Sequence, residues 1–341
     1  MARSISTGRM GRMGLTAFVG LVGIASVLAE EIPDTPGLTN VRRQGWVRFT
    51  LNSGRIVVAG SRGVNFSHSG SMVRGRGETL SVRVTGNEPL VKYEITTSTQ
   101  RFRLDASAGN RLQLGRFPEG EHSTVVRAEF VQNPNEPVAL TVGPKDHERV
   151  YRAPTIWHLF LQEPAAAKEH LAPLLKILLR EFDFAEAAKE IESNLVHTAG
   201  SGALPDRTHW AEWVRQLGDP SFANREEADR KLRASGRIVV SYLQRLDPNG
   251  LDAEQNYRVR RILQTLSGLR NEESPTQVAT WLSGDPAVWL ALLAREEEST
   301  RRVALKWLET ILGGPLAFDP GADLPTRQKQ IESIRAKIHE E

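Results

Sequence analysis

The residues best suited to recognition chemistry are arginines in two groups: Arg225, Arg230 and Arg233, then Arg258, Arg260 and Arg261. A guanidinium offers a planar fork of donors that matches a carboxylate or a phosphate. Both groups fall in stretches with helical spacing, so they can line one edge of adjacent helix pairs. A partner with acidic side chains or phosphates would fit there. The competing expectation is internal: Glu226, Glu227, Asp229 and Glu254 lie within reach across the helix surface and would pair with them.

Other chemistry is thin. The eight histidines are dispersed, at His68, His122, His147, His158, His170, His197, His209 and His339. There is no His-Glu-x-x-His, no Gly-x-Ser-x-Gly, no P-loop and no dinucleotide fingerprint. His147-Glu148 lacks the second histidine of a zinc helix. His158, flanked by Ile156 and Phe160, reads as a packed structural histidine. Asp146, Glu148 and the run Glu296-Glu297-Glu298 read as solvated charge. The chain has no cysteine, which removes thiol nucleophiles, thiolate metal sites and disulfides. The expectation is a protein that is not an enzyme, with no catalytic residue, no cofactor and no metal.

The elements that would carry these residues fall in two halves. In the first, apolar residues alternate with polar ones: Leu80, Val82, Val84; Val91, Tyr93, Ile95; Phe102, Leu104; Leu112, Leu114; Val126, Ala128, Phe130; Val138, Leu140, Val142. Turn signals such as Thr85-Gly86-Asn87-Glu88-Pro89 and Pro118-Glu119-Gly120 separate them. Short strands with one apolar and one wet face predict an antiparallel β-sandwich-like domain over residues 41–163. The Gly-, Ser- and Arg-rich stretch 60–77 breaks the alternation and predicts a solvated loop; an anion- or sugar-binding loop is the functional alternative. It holds a glycosylation sequon, Asn65-Phe66-Ser67. Trp157, Leu159 and Leu161 share one face of an extended segment, which predicts a last strand.

From Pro164 the period changes to 3.6. Leu171, Leu174, Leu175 and Leu178 mark one helix, and Ala188, Ile191 and Leu195 a second after Asp183. Trp210, Trp213, Val214 and Leu217 lead into 219–236, a complete helix. Asp219 or Ser221 caps its start, and Gly236 sits where a left-handed C-cap is needed. Apolar faces at Val259–Leu266, Val288–Leu293, Ala304–Ile311 and Ile331–Ile338 continue the pattern. About nine or ten short-linked helices over 164–341 predict stacked helical hairpins. Five of the seven tryptophans lie here, at spacings that favour core packing.

Asp219-Pro220-Ser221-Phe222, Arg225-Glu226, Ala228, Leu232 and Gly236 resemble a HEAT-like repeat common in multidomain proteins of planctomycete-type bacteria. Glu254, Arg258, Arg260 and Arg261 resemble the arginine-rich start of its next unit. Arg301-Arg302-Val303-Ala304 through Phe318-Asp319-Pro320 and Arg327 are similar to further units. Trp157-His158-Leu159 with Pro164, Leu171, Pro173 and Leu174 is similar to a junction in related secreted proteins. The resemblance covers roughly residues 155–341 and implies an α-solenoid after the β domain, an α+β multidomain chain.

The N-terminus adds a destination. Arg3, Arg9 and Arg12 precede a mostly apolar run from Gly14 to Ala29 that ends in Val27-Leu28-Ala29. This is the pattern of a secretory signal peptide over 1–29, and the run is short against the ~20 residues that span a bilayer. Residues 30–40 read as a linker. The expected localisation is the periplasm, envelope or exterior, with membrane contact only through an uncleaved signal. A net charge of +3 over 341 residues gives nucleic-acid binding little support. The expectation is an exported scaffold that binds a protein partner through the helical array. The alternative is a carbohydrate- or envelope-polymer-binding protein that acts through the β domain.

Overall fold

A computed structural model of the chain describes residues 37, 39, 45–60, 63–73, 76–86, 88–107, 111–134, 136–201, 208–266 and 274–340. The signal pattern and most of the linker lie outside these residues. No helix among the described residues is long and apolar enough to cross a membrane.

The fold is α+β. A hairpin of β1 (Val47–Asn52) and β2 (Arg55–Gly60) precedes an open eight-stranded antiparallel sheet. The sheet runs β3 (Asn65–Val73), β4 (Arg76–Thr85), β5 (Glu88–Thr96), β6 (Gln100–Ser107), β7 (Arg111–Pro118), β8 (Ala128–Gln132), β9 (Val138–Val142) and β10 (Arg149–Ala153). Each strand pairs with its neighbour in the chain, so the order is a plain meander. The alternating apolar residues of β4–β9 face one side and are buried, Val142 half so, and most of their polar neighbours face water; Val126, expected in this pattern, lies ahead of β8 and is 41% exposed.

Stretch 60–77 corrects the sequence expectation of a loop: it supplies β3 and the start of β4. Pairing overrides its Gly- and Ser-rich composition, because Asn65 to Gly70 find a ladder on Arg83 to Glu78. Phe66 turns inward and packs on Trp46, ring centroids 4.7 Å apart.

The covering of the apolar face comes from three places. The β1–β2 hairpin turns at Ser53 and Gly54, both with positive φ (54° and 69°), as a two-residue type I′ turn requires. Its strand β2 is clamped by Gln132, whose side-chain amide accepts from Ile56 N–H at 2.9 Å and donates to Ile56 C=O at 2.7 Å. Arg55 donates to the carbonyls of Asn133, Glu136 and Pro154 at 2.5–3.1 Å, fastening the hairpin to the far strands. Helices α1 (Ile156–Gln162) and α2 (164–176) complete the layer.

Helix α1 is the second correction, since an extended segment was expected there. Trp157, Leu159 and Leu161 do alternate, but so do Ile156, His158 and Phe160, and the whole run is buried. A segment apolar on every side has no readable period. The start signal was present: Thr155 caps the helix, accepting from His158 N–H at 3.5 Å. Helical structure therefore begins before residue 164.

Nine further helices follow among the described residues: α3 (Phe184–Gly200), α4 (Thr208–Gln216), α5 (Phe222–Ala234), α6 (236–244), α7 (Ala253–Leu266), α8 (Pro275–Leu282), α9 (Pro286–Leu292), α10 (Glu298–Leu312) and α11 (Leu324–Glu340). Gly236 takes the left-handed conformation expected of it, φ 70°. The helices divide between two cores. Helices α1–α3 and α8–α11 share one continuous core with the sheet, and α4–α7 enclose a separate one around Trp210, Leu217, Leu232 and Ile262. Helix α3 packs on α8 and α10, which lie beyond α4–α7 in the chain.

Candidate functional site

The predicted arginines lie on α5 and α7. Contacts advance together along the two helices: Arg225 with Glu254, Glu226 and Asp229 with Arg258, Arg233 with Thr265. The helices are therefore parallel neighbours, with α6 returning the chain between them. Arg258 is buried at the centre of this ridge. It donates to Glu254 at 2.6 Å and to Glu226 at 2.8 Å, and Asp229 lies 3.9 Å away. Burial works against its charge, but the two carboxylates more than offset this and its pKa is raised.

The other arginines differ in their freedom. Arg225 donates to the carbonyls of Asp219 and Pro220 at 2.7 and 3.1 Å and stands 3.5 Å from Glu254. Arg233 bonds Asp229 and reaches Thr265 Oγ1 at 2.5 Å. Arg230 is exposed and pairs with Glu227 on its own helix. Arg260 and Arg261 are exposed. The pairs around buried Arg258 thus hold the ridge in place, and Arg230, Arg260 and Arg261 are its exposed cations. Phe222 (65% exposed) and Tyr257 (59%) stand on the same two helices, with the Arg225 guanidinium 5.6 Å from the Phe222 ring centre.

A second surface was not singled out by sequence reasoning. The wet face of the sheet forms a depression of about 360 Å³. Its floor is a grid of paired residues: Ser67 opposite Ser81, Ser69 opposite Thr79, Ser81 opposite Lys92, Thr79 opposite Glu94, Lys92 opposite Asp105 and Glu94 opposite Arg103. Arg103 donates to Asp105 at 2.5 Å. The signal was the polar half of the same alternation that marked the core. Beside it, the Phe117 ring covers Gly115, where a Cβ would meet the ring at 2.5 Å, and lies between Arg101 and Arg127 at 5.5 and 5.7 Å.

His158 is buried between the halves. Its Nδ1 meets Thr155 Oγ1 at 2.8 Å and its Nε2 meets Asp285 Oδ2 at 3.3 Å. Asp285 also caps α9 through Ala287 N–H. Burial pushes the Asp285 carboxyl up, but His158, the amide of Ala287 and the charge of Arg245 prevail and hold it below the usual carboxylate range. With its hydroxyl committed to the cap of α1, this trio joins two helix starts. The tryptophans play a similar part: Trp289 and Trp307 both donate to the Ser283 carbonyl at 2.8 Å. No group of metal-ligating side chains large enough to hold an ion occurs among the described residues.

No protein-family model matches the chain, and no curated protein and no solved structure matches it either.

Proposed function

We propose that the protein is an exported, non-enzymatic scaffold that holds a protein partner on the α5–α7 ridge, with α4–α7 serving as a short HEAT-like array. The observation that carries this is the pairing of two exposed aromatic rings, Phe222 and Tyr257, with a ridge whose charges are internally fixed. Aromatic and arginine side chains on a rigid base are the composition of binding hot spots. The parallel placement of α5 and α7 around α6 supports a repeat-like stacking. The partner would bring carboxylates for Arg230, Arg260 and Arg261 and an apolar recess for a ring.

The test is affinity capture with the full chain from an extract of the cells that make it. Residues 164–341 alone are unsuitable, because α2, α3 and α8–α11 share their core with the sheet. A partner retained by the native chain, lost by Phe222→Ala/Tyr257→Ala and by Arg260→Glu/Arg261→Glu, is the expected result. Capture that ignores both double variants would move the site elsewhere and end this reading.

The sheet depression favours a second reading, polymer binding through the β domain. Its hydroxyls and paired charges offer donors and acceptors to a hydroxylated chain. Retention on insoluble polysaccharide that disappears in Lys92→Ala/Arg103→Ala would favour it over the ridge.

A further inference from the structure

The depression on the wet face of the sheet holds an unused pair of charges. Lys92 and Glu94 are consecutive outward residues of β5, so their Cβ atoms stand about 6–7 Å apart. Each faces a residue of opposite sign on β6: Lys92 faces Asp105 and Glu94 faces Arg103. Two cross-strand ion pairs would be the ordinary outcome. They do not form, because Arg103 turns along its own strand and donates to Asp105 at 2.5 Å. One cation and one carboxylate are left over, and neither side chain has a partner among the described residues.

Hydroxyls stand beside the pair. Ser67 and Ser69 on β3 lie opposite Ser81 and Thr79 on β4, which in turn lie opposite Lys92 and Glu94. All four hydroxyl residues are exposed, and none of their hydroxyls bonds to another group among the described residues. They form a rectangle of about 5 Å by 6–7 Å. Arg83, the next outward residue of β4 beyond Ser81, is exposed and adds a cation at the Lys92 end. The space over these residues, about 360 Å³, is open to solvent and lies at the small end of the range for ligand sites.

We propose that this depression binds a zwitterionic glycan, a hydroxylated polymer that carries both ammonium and carboxylate groups. This ligand class rests on the polymer-binding reading of the β domain and names the groups the polymer must bear. A carboxylate of the ligand accepts from the Lys92 ammonium, with Arg83 behind it, and an ammonium of the ligand donates to Glu94. Sugar hydroxyls bond to Ser67, Ser69, Thr79 and Ser81, each of which can donate and accept. Charge complementarity selects this occupant. A polymer of one sign is repelled by one of the two spare charges, and a neutral polymer leaves both unmatched.

The experiment measures binding of the full chain to four polymers of similar backbone, each immobilised on a biosensor. Carboxymethyl chitosan carries ammonium and carboxylate, chitosan ammonium only, carboxymethyl cellulose carboxylate only, and hydroxyethyl cellulose no charge. A mildly acidic buffer keeps the amines protonated. Carboxymethyl chitosan is expected to bind tightest, about two- to five-fold above either singly charged polymer, the size of an exposed ion pair. Lys92→Gln should remove the gain due to the carboxylate and keep that due to the ammonium. Glu94→Gln should do the reverse, a crossed pattern that loss of folding cannot produce. Ser67→Ala/Ser81→Ala should weaken all four alike. A zwitterionic polymer bound no tighter than the neutral one would overturn the charge match while polymer binding by the β domain stands. Retention of none of the four would overturn both. Gains that survive Lys92→Gln and Glu94→Gln would overturn the site equally.

Discussion

The two cores are built in opposite ways. The larger joins the sheet, the β1–β2 hairpin and helices from both ends of the helical half. The smaller is local: α4–α7 are consecutive in the chain and bury their apolar faces on one another. The first spends its polar groups on joining distant segments. Arg295 binds Glu192 at 2.7–2.8 Å and the Leu161 carbonyl at 2.8 Å, so one side chain links α3, α1 and the end of α9. Arg301 and Arg327 both donate to the carbonyl of Arg295, at 2.8 and 3.1 Å. The second keeps its charges on the local α5–α7 ridge, where Arg258 and Asp229 are buried and Arg230, Arg260 and Arg261 are exposed. The large core therefore acts as a frame, and the small one as a module that presents a surface.

That contrast can be broken by substitution, starting with the frame. Phe130→Ala, in the middle of the sheet core, should cost about 3–5 kcal/mol, with amide protection lost in the sheet and in α8–α11 together. Leu232→Ala, fully buried in the small core, should cost about 2–5 kcal/mol, with protection lost only across residues 208–266. Protection lost throughout the chain in both variants would show that the cores are one cooperative unit.

A finer test lies where they touch. A Cβ on Gly284, in the turn between α8 and α9, would stand 2.3 Å from the Ile238 carbonyl oxygen on α6. Gly284→Ala should cost about 1–3 kcal/mol and weaken amide protection first in α6 and α8, on the two sides of the contact.

The smallest effect concerns charge. The depressed carboxyl of Asp285 contributes stability that is present above the ordinary carboxylate range and is lost as pH falls through its folded value. Asp285→Asn keeps an N-cap residue and removes the charge. It should cost about 1 kcal/mol near neutrality and flatten the fall in stability below pH ~4, as read from urea midpoints. A parallel fall in both proteins would deny the His158–Asp285 pair this role.

Much of this was legible in the chain, and what was not has physical reasons. The strands β4–β9 show their inward residues because one face is dry and the other wet. The helix expected at 219–236 forms as α5 and Gly236 stops it, but its start lacks the expected cap: Ser221 makes no side-chain cap, and Asp219 accepts from Ser221 N–H and the Asn224 side chain instead. Strand β3 was hidden because composition reports local freedom, whereas pairing with β4 is a tertiary event. The β1–β2 hairpin was passed over although Ser53-Gly54 is a turn signal between apolar runs. The partners of α3 were invisible for a deeper cause: periodicity tells which face a helix buries, never against what. The arginines illustrate the same limit, since their spacing could not separate Arg258, buried among carboxylates, from Arg261 in water.

The meander has a consequence for the order of events as the chain emerges during synthesis. Every rung of the sheet joins segments adjacent in sequence, so each hairpin can close as soon as it is made. Helix α3 has no such fortune: its neighbour α8 arrives only after all of α4–α7. In that interval the apolar flank of α3 waits for its cover, exposed to passing chaperones and to other copies of the nascent chain. A compact, quickly closing module in the gap shortens that wait, because it draws the two ends of the interruption together before α8 is finished.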